Sequence, residues 1–258
     1  MFTVEQRDAL RERVLQLARE DARVVAGAAV GSLAVEGGGD RFSDLDLTFG
    51  IADGVTVGEV LEDWTRTLAE EQEALQLVDL ERASTIYRVF LLPNALQFDL
   101  SLTPAADFRP AGPRFRLLFG EIAPAPPEVA KPRPPGSLGI PTPVVAADVF
   151  GWGVIYALHT RACIERKRLW QAEHYAGAVR DHALSLACLR LGLPAAQARG
   201  YDDLPADVLA GLRDAHVGAT EPEALTRALE GAIAALLHQG AEAGLPNADG
   251  VARRLGPQ

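Results

Sequence analysis

Apolar positions along the chain change their period once, near its middle. In the first half Leu10, Val14 and Leu17 recur at helical spacing, VVAGAAV follows as a buried-strand run, and the segment SDLDLTF alternates with period two. Val57, Val60, Leu61, Trp64 and Leu68 mark a second helix. Three more strand candidates come next, EALQLVDL, STIYRVFLL and ALQFDLSL, with Pro93 and Asn94 joining the last two as a tight hairpin turn. The second half keeps only the helical period. Val149, Trp152, Tyr156, His159 and Cys163 trace one stripe, and Leu184, Cys188 and Leu191 trace another that Gly192 and Pro194 stop. Leu225, Leu229, Ala232 and Leu236 trace a third. The pattern predicts an α+β chain: a mixed sheet with helices over residues 1–119, then an α-helical bundle over 144–258. Between them, eight prolines in residues 120–143 suit neither a helix interior nor a central strand, and predict a linker.

Composition sharpens this picture. A chain of 258 residues suits two domains, and 48% apolar residues suffice for a sizeable core. No apolar run approaches the roughly 20 residues of a membrane span, and the first segment carries charges where a signal peptide would be apolar. The expectation is a cytoplasmic protein with no membrane partner. Cys163 and Cys188 fall inside apolar helical patterns, where a thiol acts as a small hydrophobe. A net charge of −10 has the wrong sign for neutralising a long nucleic acid, and favours a small, cationic partner.

Candidate chemistry concentrates in VVAGAAVGSLAVEGGGDRFSDLDLTFG. A buried strand running into Gly31 and Ser32 makes a turn whose backbone can approach a phosphate, with a helix N-terminus to offer free N–H groups. Asp44 and Asp46, two residues apart on a strand, project from one face while Leu45 and Leu47 point into the core. Two adjacent carboxylates repel, and a hard divalent cation such as Mg²⁺ is the natural remedy. Asp99 stands in similar surroundings at the end of a hairpin strand. Asp79 competes for that third position, and is read as an edge-strand residue. Gly37-Gly38-Gly39 is read as a connection to the metal strand.

Glycine-serine, Asp-x-Asp on a strand and a later strand aspartate, in that order, resemble the nucleotidyltransferase superfamily typified by DNA polymerase β. The resemblance covers roughly residues 25–103. It implies metal-dependent transfer of a nucleoside monophosphate from a triphosphate, most simply ATP, to an acceptor hydroxyl. Gly31, Ser32, Ser43 and Asp44 would then hold the nucleotide, and Asp44, Asp46 and Asp99 would bind two Mg²⁺ ions, with Asp99 helping to deprotonate the acceptor. Many small members carry an arginine just after the Gly-Ser pair; here Leu33, Ala34 and Val35 follow. The triphosphate's charge is therefore expected to meet Arg41, Arg88 or an arginine of the helical half.

In the helix beginning near Leu169, Glu173 and Arg180 line up with Leu184 and Leu191 on the predicted apolar face. Either such charges form a buried inter-helix salt bridge, or Glu173 serves as a catalytic carboxylate that orients or deprotonates the acceptor and Arg180 as a structural partner or phosphate clamp. His159 and Cys163 have zinc-like spacing without a second ligand pair, and are read as core. The domain order and the segment ERKRLWQAEHYAGAVRDHALSL look like bacterial antibiotic nucleotidyltransferases of the aminoglycoside and lincosamide types. That resemblance implies O-adenylylation of a small polyhydroxylated amine or sugar in an acceptor-binding helical domain, and a homodimer. Two rival functions remain: an enzyme that adds AMP to a partner protein, and a catalytically silent nucleotide-binding scaffold.

Overall fold

The computed structural model of the protein describes residues 2–35, 39–110, 114–124 and 145–256. Gly37, Gly38 and all but the first five residues of the expected linker lie outside the described residues. Thr3 starts the first helix, α1 (Val4–Glu20), through a capping box: its hydroxyl accepts the Gln6 N–H at 3.2 Å and the Gln6 side chain accepts the Thr3 N–H at 2.9 Å. There follow β1 (Val24–Val30), one turn of 3₁₀ helix (Gly31–Ala34), β2 (Leu45–Ile51), α2 (Val57–Gln72), β3 (Leu75–Arg82), β4 (Thr85–Leu91), β5 (Gln97–Pro104) and β6 (Phe115–Phe119). Helices α3 (Ala146–Glu165), α4 (Leu169–Leu191), α5 (Ala206–Gly211), α6 (Pro222–Glu242) and α7 (Ala248–Leu255) complete the chain. The fold is α+β, with its C-terminal part helical.

The six strands form one mixed sheet in the order β3-β4-β5-β2-β1-β6. β2 runs parallel to β5, whereas β1 is antiparallel to both β2 and β6. Strand β6 was not expected; its five residues, FRLLF, are too short and too weakly alternating to stand out. The β4–β5 turn is longer than the two residues expected. The Leu92 N–H donates to the Leu96 carbonyl at 2.9 Å, and Ala95 takes a φ of 60°.

Two compact units divide the chain. One comprises Met1–Gln72, Asp79–Val89 and Phe98–Val144; the other comprises Glu73–Val78, Phe90–Gln97 and Val145–Gln258. In the first, strict alternation on β2 and β5 buries Leu45, Leu47, Phe49 and Ile51 together with Phe98, Leu100 and Leu102. Helix α1 packs on β1 and β2, and Trp64 of α2 meets Phe49 edge-on at 5.2 Å between ring centroids. With that face committed to the helices, Asp46, Thr48, Asp99 and Ser101 are left on the other.

In the second unit, α4 packs against both α3 and α6. Its buried residues are Ala172, Ala176, Val179, Ala183, Leu186, Ala187 and Cys188. The expected stripe through Leu184 and Leu191 is therefore corrected: Leu191 is 41% exposed, and Glu173 and Arg180 lie half-buried beside an alanine-rich face. Small side chains allow helix backbones to approach, and the partner helix shows the same economy. A methyl group on Gly153 of α3 would come within 2.8 Å of Leu236 of α6. Trp152, Tyr156 and His159, expected in the α3 core stripe, sit half-buried at its rim, where Tyr156 stacks on Tyr175 at 5.7 Å. Cys163 and Cys188 are buried free thiols. Among the described residues no helix is long and apolar enough to cross a membrane.

Candidate metal centre

The parallel register of β2 and β5 sets Asp46 directly beside Asp99. Asp44 lies one residue ahead of β2 and two before Asp46, so it continues the same face. Each of the three half-buried aspartates offers a carboxylate oxygen, and these oxygens all lie within 4.8 Å of one another. Among the described residues no other group of three His, Cys, Asp or Glu side chains comes so close. His159 and Cys163 acquire no such third member.

Three like charges at this spacing are costly, and the cost falls on the middle one. Burial, then the charges of Asp44 and Asp99, push the Asp46 carboxyl up to about 9. Without a counter-charge the site takes up a proton at neutral pH. An all-carboxylate donor set suits a hard divalent cation, which removes the repulsion that the proton otherwise relieves.

The Gly31-Ser32 turn stands against this cluster. Gly31 has a φ of +67°, and a Cβ there would lie 3.0 Å from the Asp46 carboxyl carbon and closer still to its Oδ2. Only a glycine lets the chain turn in contact with that carboxylate. The Ser32 Oγ is buried and makes no hydrogen bond with the described residues, so a buried donor is available at the turn. The helix expected after it is only one 3₁₀ turn with no side-chain cap. Ser43, also expected to meet nucleotide, closes a local turn with its hydroxyl: it accepts the Asp40 N–H at 2.9 Å and donates to Asp40 Oδ1 at 3.2 Å.

Asp79 has a different occupation from Asp99. On edge strand β3 it accepts two hydrogen bonds from Arg88, at 2.8 and 2.6 Å. The same guanidinium, only 5% exposed, donates to Thr65 at 2.7 Å and lies 2.8 Å from Glu62. The suggestion that Arg88 meets a triphosphate is thereby corrected, since its donors are committed to α2 and β3. Arg88→Met should lower stability by roughly 2 kcal/mol or more, because it strips a half-buried carboxylate of its partner. Asp79→Leu combined with Arg88→Met should recover part of that loss in chemical denaturation; purely additive losses would sink the pairing argument.

Arg41 lies over the Phe42 ring, 4.2 Å from its centroid. Sequence reasoning missed Arg116, which reaches the turn from β6 and donates to the Leu33 carbonyl at 3.2 Å. Its only sequence signal is an arginine within a short apolar run. In α4, Arg180 pairs with its chain neighbour Asp181 at 2.8 Å rather than with another helix. Glu173 makes no ion pair with the described residues.

No family model matches the chain, and no curated protein matches it. Among solved structures, an aminoglycoside 6-adenyltransferase from Bacillus subtilis is similar over 93% of this chain and 93% of its own, at 12% identity and a TM-score of 0.36. A likeness this distant assigns no role to any side chain here.

Proposed function

We propose that the chain is a metal-dependent nucleotidyltransferase that moves a nucleoside monophosphate, AMP from ATP, onto a hydroxyl of a small molecule. The observation that carries the reading is the direct pairing of Asp46 with Asp99, with Asp44 completing a cluster whose oxygens lie within 4.8 Å. Asp44, Asp46 and Asp99 would hold Mg²⁺. When bound, Mg²⁺ would neutralise the triphosphate, favour loss of the acceptor proton and stabilise the pyrophosphate leaving group. Gly31 lets the turn lie against the Asp46 carboxylate, and the buried Ser32 hydroxyl beside it supplies a donor to a phosphate oxygen. Asp99 accepts the proton of the attacking hydroxyl. The chain thus contributes mainly position and charge, which is what phosphoryl-type transfer requires.

Incubating the full chain with α-labelled ATP, Mg²⁺ and a panel of aminoglycosides, lincosamides and simple polyols should transfer label to a small molecule. Label on a protein band from added lysate would indicate the protein-modifying alternative, and no label on either would sink the proposal.

A further inference from the structure

Helix α1 buries Leu10, Val14, Leu15 and Ala18 on its inner face, and it also buries Arg7, which is 5% exposed. A guanidinium taken out of water needs polar partners. One nitrogen, Nη1, supplies two bonds, donating to the carbonyl of Asp40 at 2.8 Å and to that of Ser43 at 3.2 Å. The Asp8 carboxylate lies 3.7 Å from Nε and is largely exposed.

The segment that Arg7 grips is already a closed turn. The Ser43 N–H donates to the Asp40 carbonyl at 3.1 Å, and the Phe42 N–H to Asp40 Oδ1 at 2.9 Å. The next residue is Asp44. Strand β2 begins only at Leu45, so the sheet ladder does not fix Asp44 as it fixes Asp46 and Asp99. Its place is set by the turn before it, and that turn is tied to the body of the unit by Arg7. The helix end that carries Arg7 is itself fixed by the capping box at Thr3.

We propose that Arg7 is a positioning residue that holds Asp44 in the carboxylate cluster through the turn of residues 40–43. It touches no ligand; it sets where one ligand stands. The inference rests on the reading of the aspartates as metal ligands. Groups that orient metal ligands from outside typically cost 10–100-fold in affinity when lost.

The test uses the full chain, without nucleotide, titrated with Mn²⁺ and followed by electron paramagnetic resonance at a temperature where each variant is folded. Arg7→Met should weaken Mn²⁺ binding by about tenfold or more, and Arg7→Lys, which keeps the charge and can reach one carbonyl, by less. Arg13→Met, also on α1 but paired with Glu71 at 2.7 Å, should bind Mn²⁺ as the parent does. Should Arg7→Met not fold, Arg7→Lys compared with Arg13→Met carries the measurement. Parental affinity in the folded Arg7 variants, or an equal loss in Arg13→Met, would overturn the positioning role. A parent that binds no Mn²⁺ would overturn the metal reading itself, and the positioning role with it.

Discussion

Asp46→Asn is expected to abolish transfer, by ~10³-fold or more, and yet to melt at a higher temperature than the parent when no metal is present. The loss should exceed the 10–100-fold typical of outer partners, because a neutral amide replaces a direct anionic ligand. The stability gain comes from proton linkage. Asp46 titrates near 3.8 in an ordinary setting and near 9 in the folded protein. Between those values the folded protein holds a proton that the unfolded chain has released, so stability falls as pH rises, by at most about 1.4 kcal/mol per pH unit. The contribution is fully present below 3.8 and is lost by about 9. Asparagine has no such proton to release. In chelator, the gap between the two melting temperatures should be small in acid, clear at neutral pH and widest in alkali. A gap that does not change with pH would show that burial and the neighbouring charges do not raise Asp46 in the folded protein. Mg²⁺ with ATP should raise the melting temperature of the parent by binding only its folded form, and that of the variant much less.

The second large effect is expected from Gly31→Val. A β-branched residue at a φ of +67° costs roughly 1–3 kcal/mol in backbone strain alone. The steric effect is more specific, because the added Cβ would overlap the Asp46 carboxylate and push a metal ligand out of place. Gly31→Val should therefore lose Mn²⁺ binding even in the absence of nucleotide, and ATP binding with it. Gly31→Ala should show the same loss in weaker form. If Gly31→Val kept Mn²⁺ affinity and lost only ATP, the turn would be meeting phosphate alone, and the contact with Asp46 would have no functional weight.

Features that depend on local periodicity were legible in the sequence. The period of two in Asp44-Leu45-Asp46-Leu47 determines which face bears the acids, and the same rule on Phe98-Asp99-Leu100 brings the third acid to that face. Features that depend on distant partners were not. The place of Asp99 after the hairpin turn already favoured it over Asp79, but the partner that takes Asp79, Arg88 on the next strand, was not legible. Arg7 gave no signal at all, since an arginine in the first turn of an amphipathic helix is ordinary until the turn 33 residues away closes over it. The inner face of α4 was misjudged for another reason. Leucine was weighted above alanine, although helices that pack closely select the smaller residue.

The parallel pairing of β2 with β5 gives bound metal a use as a gauge of folding. The two strands are about fifty residues apart in the chain, and a long loop must close before they meet. A slip of one residue on either strand would turn its aspartate toward the helices and a leucine or phenylalanine toward the other acids. Every collapsed or misregistered form thus lacks the full donor set. The spectrum of bound Mn²⁺, followed during refolding, would count only those molecules whose two central strands have found their one correct alignment.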